Sequence, residues 1–149
     1  MDIGNIIAAD KLAEFEVKHP ITKKPTGIFI GVYGQHSKIF RDKMNGNIQA
    51  RQAKNVLAAK DGEMPAPRAV DETEAENHEL LATCIGSWRS VIEKNGKPTT
   101  ESEPLLEYCG NKLPLTFENA LKVLTDPNMR WLVQQVDDNV TKLENFTNG

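Results

Sequence analysis

The sequence predicts an α+β domain, with an N-terminal β-hairpin, alone or within a small antiparallel sheet, packed against about four α-helices. Three observations predict it. Phe15–Ser37 holds two period-two runs of apolar residues around a Pro-bounded turn, the alternation of a half-buried hairpin. Beyond Ser37 most apolar residues recur at three- and four-residue spacing, the period of helices. Cap and start signals at Ser37, Asp71, Thr116 and Asp126-Pro127 head those stretches. Helices need a surface to lie on, and the hairpin offers one.

In the hairpin, Phe15 and Val17 point one way and Glu14, Glu16 and Lys18 the other. After the turn, Ile28, Ile30 and Val32 share a face. Pro20 and Pro25 lack a donor N–H and therefore bracket the loop. Gly27, Gly31 and Gly34 alternate with bulk, which marks a bulge or a close backbone contact. They match no GxGxxG or P-loop pattern, so phosphate binding is not their role. Ahead of the hairpin, residues 1–11 carry one apolar cluster, Ile3, Ile6 and Ile7. Two readings stand for this arm: a partly ordered tail, or a segment that docks on a neighbouring subunit.

Ser37 caps the first helix, which runs to Lys60 with Phe40, Met44, Ile48, Gln52 and Val56 in an i, i+4 series. Asn45-Gly46-Asn47 interrupts it, at a cost of roughly 1 kcal/mol for the glycine, but the apolar phase survives; one helix is expected, with room for a kink. Its polar face is basic, with Lys38, Arg41, Lys43, Arg51, Lys54 and Lys60 against Asp42. This is either a solvated face or a docking surface for an acidic partner. Residues 61–70 form a linker, since Gly62, Pro65 and Pro67 stop the helix. Asp71 caps an acidic second helix that can lie beside the basic first one and neutralise it. That helix is expected to bury Leu81, Cys84, Ile85 and Trp88. Trp88–Leu115 reads as irregular, with a short strand at Arg89–Glu93, a turn at Asn95-Gly96 and a mobile insertion over 95–111. Thr116 caps a helix over Phe117–Thr125 that packs through Phe117, Leu121 and Leu124. Asp126-Pro127 starts the last helix, with Trp131, Leu132, Val136, Val140 and Leu143 at helical spacing. Residues 146–149 are expected to be a frayed tail, although Phe146 lies one turn beyond the apolar stripe.

The whole, residues 1–149, suits a single domain long enough to bury a core without disulfides or metal. Hydrophobic residues make up 39% of it and mean hydropathy is −0.47, values of a soluble chain. No stretch approaches the roughly 20 apolar residues of a membrane span. The first residues lack the basic n-region of a signal peptide. A net charge of −3 argues against general nucleic-acid binding. Cys84 and Cys109 stand far apart and are expected as reduced thiols. No catalytic set, cofactor motif or metal cluster emerges. His78 opens a stretch reminiscent of HExxH, but Ala82 stands where the second histidine must be. Glu14 and Glu16 share the exposed face of a strand, and spacing alone makes no acid/base site. The residues thus point to a non-enzymatic binding or assembly protein.

The stretch FEVKHPITKKPTGIFIGVYGQHSKIFRD resembles the opening of the tail assembly chaperones of long-tailed bacteriophages, a hairpin with a His-Pro-x-Thr-Gly-x-Pro turn and then a Ser-capped basic helix. ELLATCIGSW is similar to that family's LLAxCTxGW helix end. LPLTFENALKVLTDPNMRWLVQQVDDNVTKLENF is similar to its C-terminal pattern of Glu-Asn-Ala, Asp-Pro, a Trp and a closing Asn-Phe. Three blocks in order cover most of the chain. Lys23 stands where the family usually has Gly; a turn of the family's shape would hold Lys23 in the left-handed region at about 1 kcal/mol, and a different loop is equally open. Asn95–Asn111 is longer than the family's corresponding turn.

The resemblance implies a chaperone that coats the long helical tape measure protein in the host cell cytoplasm before the tail tube polymerises. It also implies self-association, a frameshifted longer form that recruits tail tube subunits, and departure before the virion is complete. A helical rod with exposed apolar stripes aggregates unless covered, and a cover needs an apolar surface of its own. The last helix offers Trp131, Val136, Val140, Leu143 and Phe146 as candidate partner-binding residues, against their use as intradomain core. The alternative function is a minor tail or head–tail connector protein retained in the particle. Neither function calls for nucleic acid, a membrane or a cofactor.

Overall fold

β1 (Ala13–Lys18) and β2 (Pro25–Val32), the latter increasingly buried towards Val32, build the first hairpin of a computed structural model that describes residues 2–62 and 70–148. Phe15 lies opposite Ile30, with Val17, Ile30 and Val32 fully buried on the core side. In the connecting turn the His19 N–H donates to the Lys24 carbonyl at 2.9 Å. His19 Nδ1 accepts from the N–H groups of both Ile21 and Thr22, each at 3.2 Å. Lys23 takes a φ of 62°, the left-handed region that glycine enters freely. Pro25 is the first residue of β2, where a missing donor is tolerated.

β2 pairs antiparallel with β3 (Ile85–Lys94), and β3 with β4 (Lys97–Glu103), in the order β1-β2-β3-β4. Asn95 and Gly96 make the β3–β4 turn with φ of 54° and 75°, the two positive values that a type I′ turn requires. A second hairpin joins β5 (Leu105–Tyr108) to β6 (Asn111–Pro114) through Cys109 and Gly110, at φ of 49° and 81°. The irregular insertion expected over 95–111 is therefore corrected: it is a strand, a turn and most of a second hairpin. The run KPTTESE has no apolar alternation because β4 is an edge strand that covers no core. Its order comes from the ladder with β3 and from Thr99, whose hydroxyl donates to the Ile92 carbonyl at 2.7 Å.

Four α-helices complete the fold: α1 (Lys38–Lys60), α2 (Val70–Cys84), α3 (Phe117–Thr125) and α4 (Arg130–Thr141). Together with the sheet, α2, α3 and α4 bury one core that includes Ile30, Leu81, Trp88, Val123, Leu124 and Val136. α2 stops at Cys84, so Ile85 and Trp88 belong to β3 and not to the helical stripe expected for them. A bulge explains the misreading. Val32 faces Ile85 and Gly31 faces Ser87, which leaves Gly86 as the extra residue. The bulge lets residues three apart point into the same core, and so mimics helical spacing. α1 runs unbroken through Asn45-Gly46-Asn47 and ends at Lys60, with Asp61 at its cap and Gly62, φ 73°, just beyond. Asp71 lies inside α2 and not at its cap. The linker prolines Pro65 and Pro67 lie outside the described residues. Asp126 caps a 3-10 turn, Pro127–Met129, that leads into α4. In α3 the buried residues are Ala120, Val123 and Leu124, whereas Phe117, expected to pack, is exposed.

The two ends of the chain clasp one another. Ala8 N–H donates to the Phe146 carbonyl at 2.7 Å and Asn148 N–H to the Ile6 carbonyl at 2.9 Å. The frayed tail expected from residue 146 is thus corrected over 146–148, and Ile6–Ala8 of the N-terminal arm lie along that C-terminal segment.

Candidate partner-binding surface

Val136, Val140 and Phe146 are 0%, 1% and 3% exposed. They fill the core, and a partner cannot reach them without unfolding it; their assignment as partner contacts is corrected. Trp131 is half-buried against the same core. Leu143, in the 3-10 turn Leu143–Phe146 after α4, is the one residue of the five that stands exposed. The physical reason is the width of the last helix's stripe. α4 is short and lies between the sheet, α2 and α3, so an apolar arc at this spacing is consumed by the fold.

Several uncovered apolar residues lie on α1 instead. Ser37 starts this helix firmly: its Oγ accepts from Phe40 N–H at 3.2 Å and donates to the Gly34 carbonyl at 2.6 Å. With 23 residues, α1 is about 34 Å long at 1.5 Å per residue, and no buried residue lies anywhere along it. The i, i+4 series splits. Phe40 and Met44 are half-buried at the proximal end, whereas Ile48 is 39% and Val56 54% exposed. Each four-residue step overshoots a full turn by about 40°, so by Val56 the series has rotated about 160° from Phe40. Leu57, 63% exposed, widens the bare surface.

Charge sorts to the other side. From Ile48 to Ala59 the charged residues are Arg51 and Lys54, and both fall on the half of the helix that carries the half-buried Asn47 and Ala58. α1 packs beside α2, as expected, and Lys43 on that side meets Glu79 at 3.7 Å, a single ion pair of the neutralisation expected between the two helices. The outer half of the surface, with Ile48, Ala53, Val56 and Leu57, is uncharged. At its proximal end opens a groove of about 330 Å3 lined by Lys38, Phe40, Arg41, Asp42 and Met44.

The remaining polar chemistry is structural. The Glu14 carboxylate accepts from Arg89 at 2.7 and 3.0 Å, which holds its pKa below the usual carboxylate range. Arg89 also lies over the Phe29 ring, 4.0 Å from its centroid. Glu16 accepts from the Gly27 N–H at 3.0 Å. Burial pushes the Cys84 thiol up to about 12, so it behaves as a small apolar group. Among the described residues no group of three or more His, Cys, Asp or Glu could hold a metal ion. No described helix is long and apolar enough to cross a membrane. Comparison with protein-family models, with curated proteins and with solved structures finds no match to this chain.

Proposed function

We propose that the protein is a tail assembly chaperone of the long-tailed-phage type, which covers the helical tape measure protein in the host cytoplasm and helps to recruit tail tube subunits. The observation that carries this reading is the uncovered outer face of α1, where Ile48, Val56 and Leu57 stand in solvent on a helix otherwise rich in charge. Apolar residues left in solvent along a helix are what a helical client needs for docking. The three sequence blocks that resemble the family add support. The first spans the β1–β2 hairpin and the start of α1, and Lys23 is in the left-handed region at the position where the family usually has glycine.

Co-expression with the long helical protein encoded beside it in the phage genome tests the reading, together with mass spectrometry of purified virions. A soluble complex and absence from virions are the expected results. Presence in virions favours the alternative, a minor tail or head–tail connector protein. Failure to keep the helical protein soluble removes the chaperone reading.

A further inference from the structure

We propose that His19 is a pH-sensitive latch of the β1–β2 turn, which holds the turn shut while its imidazole is neutral and releases it on protonation. Nothing in this depends on the chaperone reading. His19 stands as an N-cap residue does, at the head of one tight turn. Its Nδ1 accepts from the N–H groups of Ile21 and Thr22, each at 3.2 Å, and its carbonyl accepts from Lys23 N–H at 3.0 Å. Pro20 follows it, at the position where a helical turn tolerates a missing donor. Asn, Ser and Thr fill this capping role with an oxygen that remains an acceptor on acidification. Histidine fills it only through an unprotonated ring nitrogen. The two bonds therefore assign the single ring proton to Nε2. A second proton can go only to Nδ1, where it removes both bonds and points a donor at two donors.

The surrounding charges act in the same sense. Lys18, Lys23 and Lys24 flank His19, all of them exposed, so a cationic ring adds like charge to the turn. Glu16, the acid of β1 closest to it in sequence, is engaged by the Gly27 N–H at 3.0 Å. From α4 the end of β1 is reached by Gln135, which is uncharged and bonds the Lys18 N–H and carbonyl at 3.0 and 2.9 Å. Asp138, one turn further along α4, accepts from Gln134 at 2.8 Å. Among the described residues no ion pair reaches His19. Lys23 is the part that moves. Its φ of 62° is unfavourable for a residue with a Cβ and persists only while surrounding bonds over-determine it. Loss of the two ring bonds lets Lys23 relax, and the turn that carries the exposed Ile21 loses its fixed shape. Histidine is the side chain whose charge ordinarily changes between pH 5 and 8, so the turn is closed towards the upper end of that window and open towards the lower.

NMR spectra of the full chain at pH 8 and pH 5 test this. In the alkaline sample the ring nitrogen shifts are expected to show the Nε2–H tautomer. On acidification the Ile21 and Thr22 amide signals should shift with the same midpoint as the His19 ring. The Lys23 coupling that reports φ should lose its left-handed value at that midpoint. A charged ring acting only at a distance would move the amide signals and leave this coupling alone. His19→Asn keeps an acceptor in place of Nδ1 and takes up no proton; its turn should match the closed wild type in both samples. His19→Ala has no acceptor and should show the open turn in both. Strand signals of β1 and β2 should persist throughout, which separates opening of the turn from unfolding. An Nδ1–H tautomer in the alkaline sample, a Lys23 coupling that stays fixed while the ring protonates, or a His19→Asn variant that responds to acid as the wild type does would overturn the proposal.

Discussion

Gly34 leaves the room that Phe146 fills. A Cβ built at Gly34 would stand 2.6 Å from the Phe146 ring, far inside contact distance. Gly34→Ala therefore overpacks the core, at an expected cost of about 1–3 kcal/mol in urea denaturation. Phe146→Leu, which trims the ring, should relieve part of that cost, so the double variant is more stable than the sum of the singles predicts. Strict additivity would show that the two residues do not meet. Tyr108 and Asp126 form a second residue-scale couple, with the phenol donating to the carboxylate. That hydrogen bond, followed by burial, pushes the Tyr108 phenol from its ordinary 10.0 up to about 12. The same bond, with the Asn128 N–H, holds Asp126 below its ordinary 3.8. A lowered carboxylate stabilises the fold above its unfolded pKa, and the benefit is lost as pH falls through the folded value. A raised phenol stabilises the fold below its unfolded pKa, and the benefit is lost as pH rises from 10 towards 12. Tyr108→Phe should thus lower Tm most between about pH 4 and 10, with the deficit narrowing at both extremes. A deficit that stays constant across the whole range would contradict this linkage.

At the scale of elements, α1 is the part whose existence was easiest to read and whose packing was hardest. Ser37, the apolar series and Gly62 set its limits in the sequence as in the structure. Its i, i+4 series left the packing open, because spacing reports that residues are near one another on a helix, not what lies opposite them. The slow rotation of such a series was the available signal: a core stripe mixes three- and four-residue steps, and this one does not. The bulge at Gly86 misled in the opposite sense, since it gave two strand residues a helical interval. β4 was invisible to periodicity because an edge strand can be polar on both faces. The Asn95-Gly96 turn and the caps at Ser37 and Thr116 were legible because each depends on one local chemical requirement. Gly46 offers a test of α1 itself. It has a helical backbone, and a Cβ there meets nothing within 4 Å. Gly46→Ala should therefore stabilise the protein by about 0.5–1 kcal/mol, read as a higher urea midpoint with slightly greater helicity. A loss of stability would mean that Gly46 serves a close contact made by some other means.

For the whole molecule, the decisive contrast is between apolar residues spent on the core and those left outside it. The chain has a net charge of −3, yet α1 concentrates six of its cations, so positive charge gathers on the helix that contributes no buried residue. Val140 and Leu57 sit at the two ends of that contrast, at 1% and 63% exposure. Val140→Asp places a carboxylate in the core without a partner, at an expected cost of about 4 kcal/mol or more. Against a typical total of roughly 5–15 kcal/mol, that loss brings the domain close to unfolding. Leu57→Glu changes only a solvated position on a helix and should cost within about 0.5 kcal/mol. Both variants should lose the helical client, but for different reasons that thermal denaturation separates. Val140→Asp should lose it together with its cooperative transition, and Leu57→Glu with the transition nearly unmoved. If Leu57→Glu kept full binding while Val140→Asp stayed folded and failed to bind, the contact surface would have to lie on the C-terminal helix, and α1 would have no part in recognition.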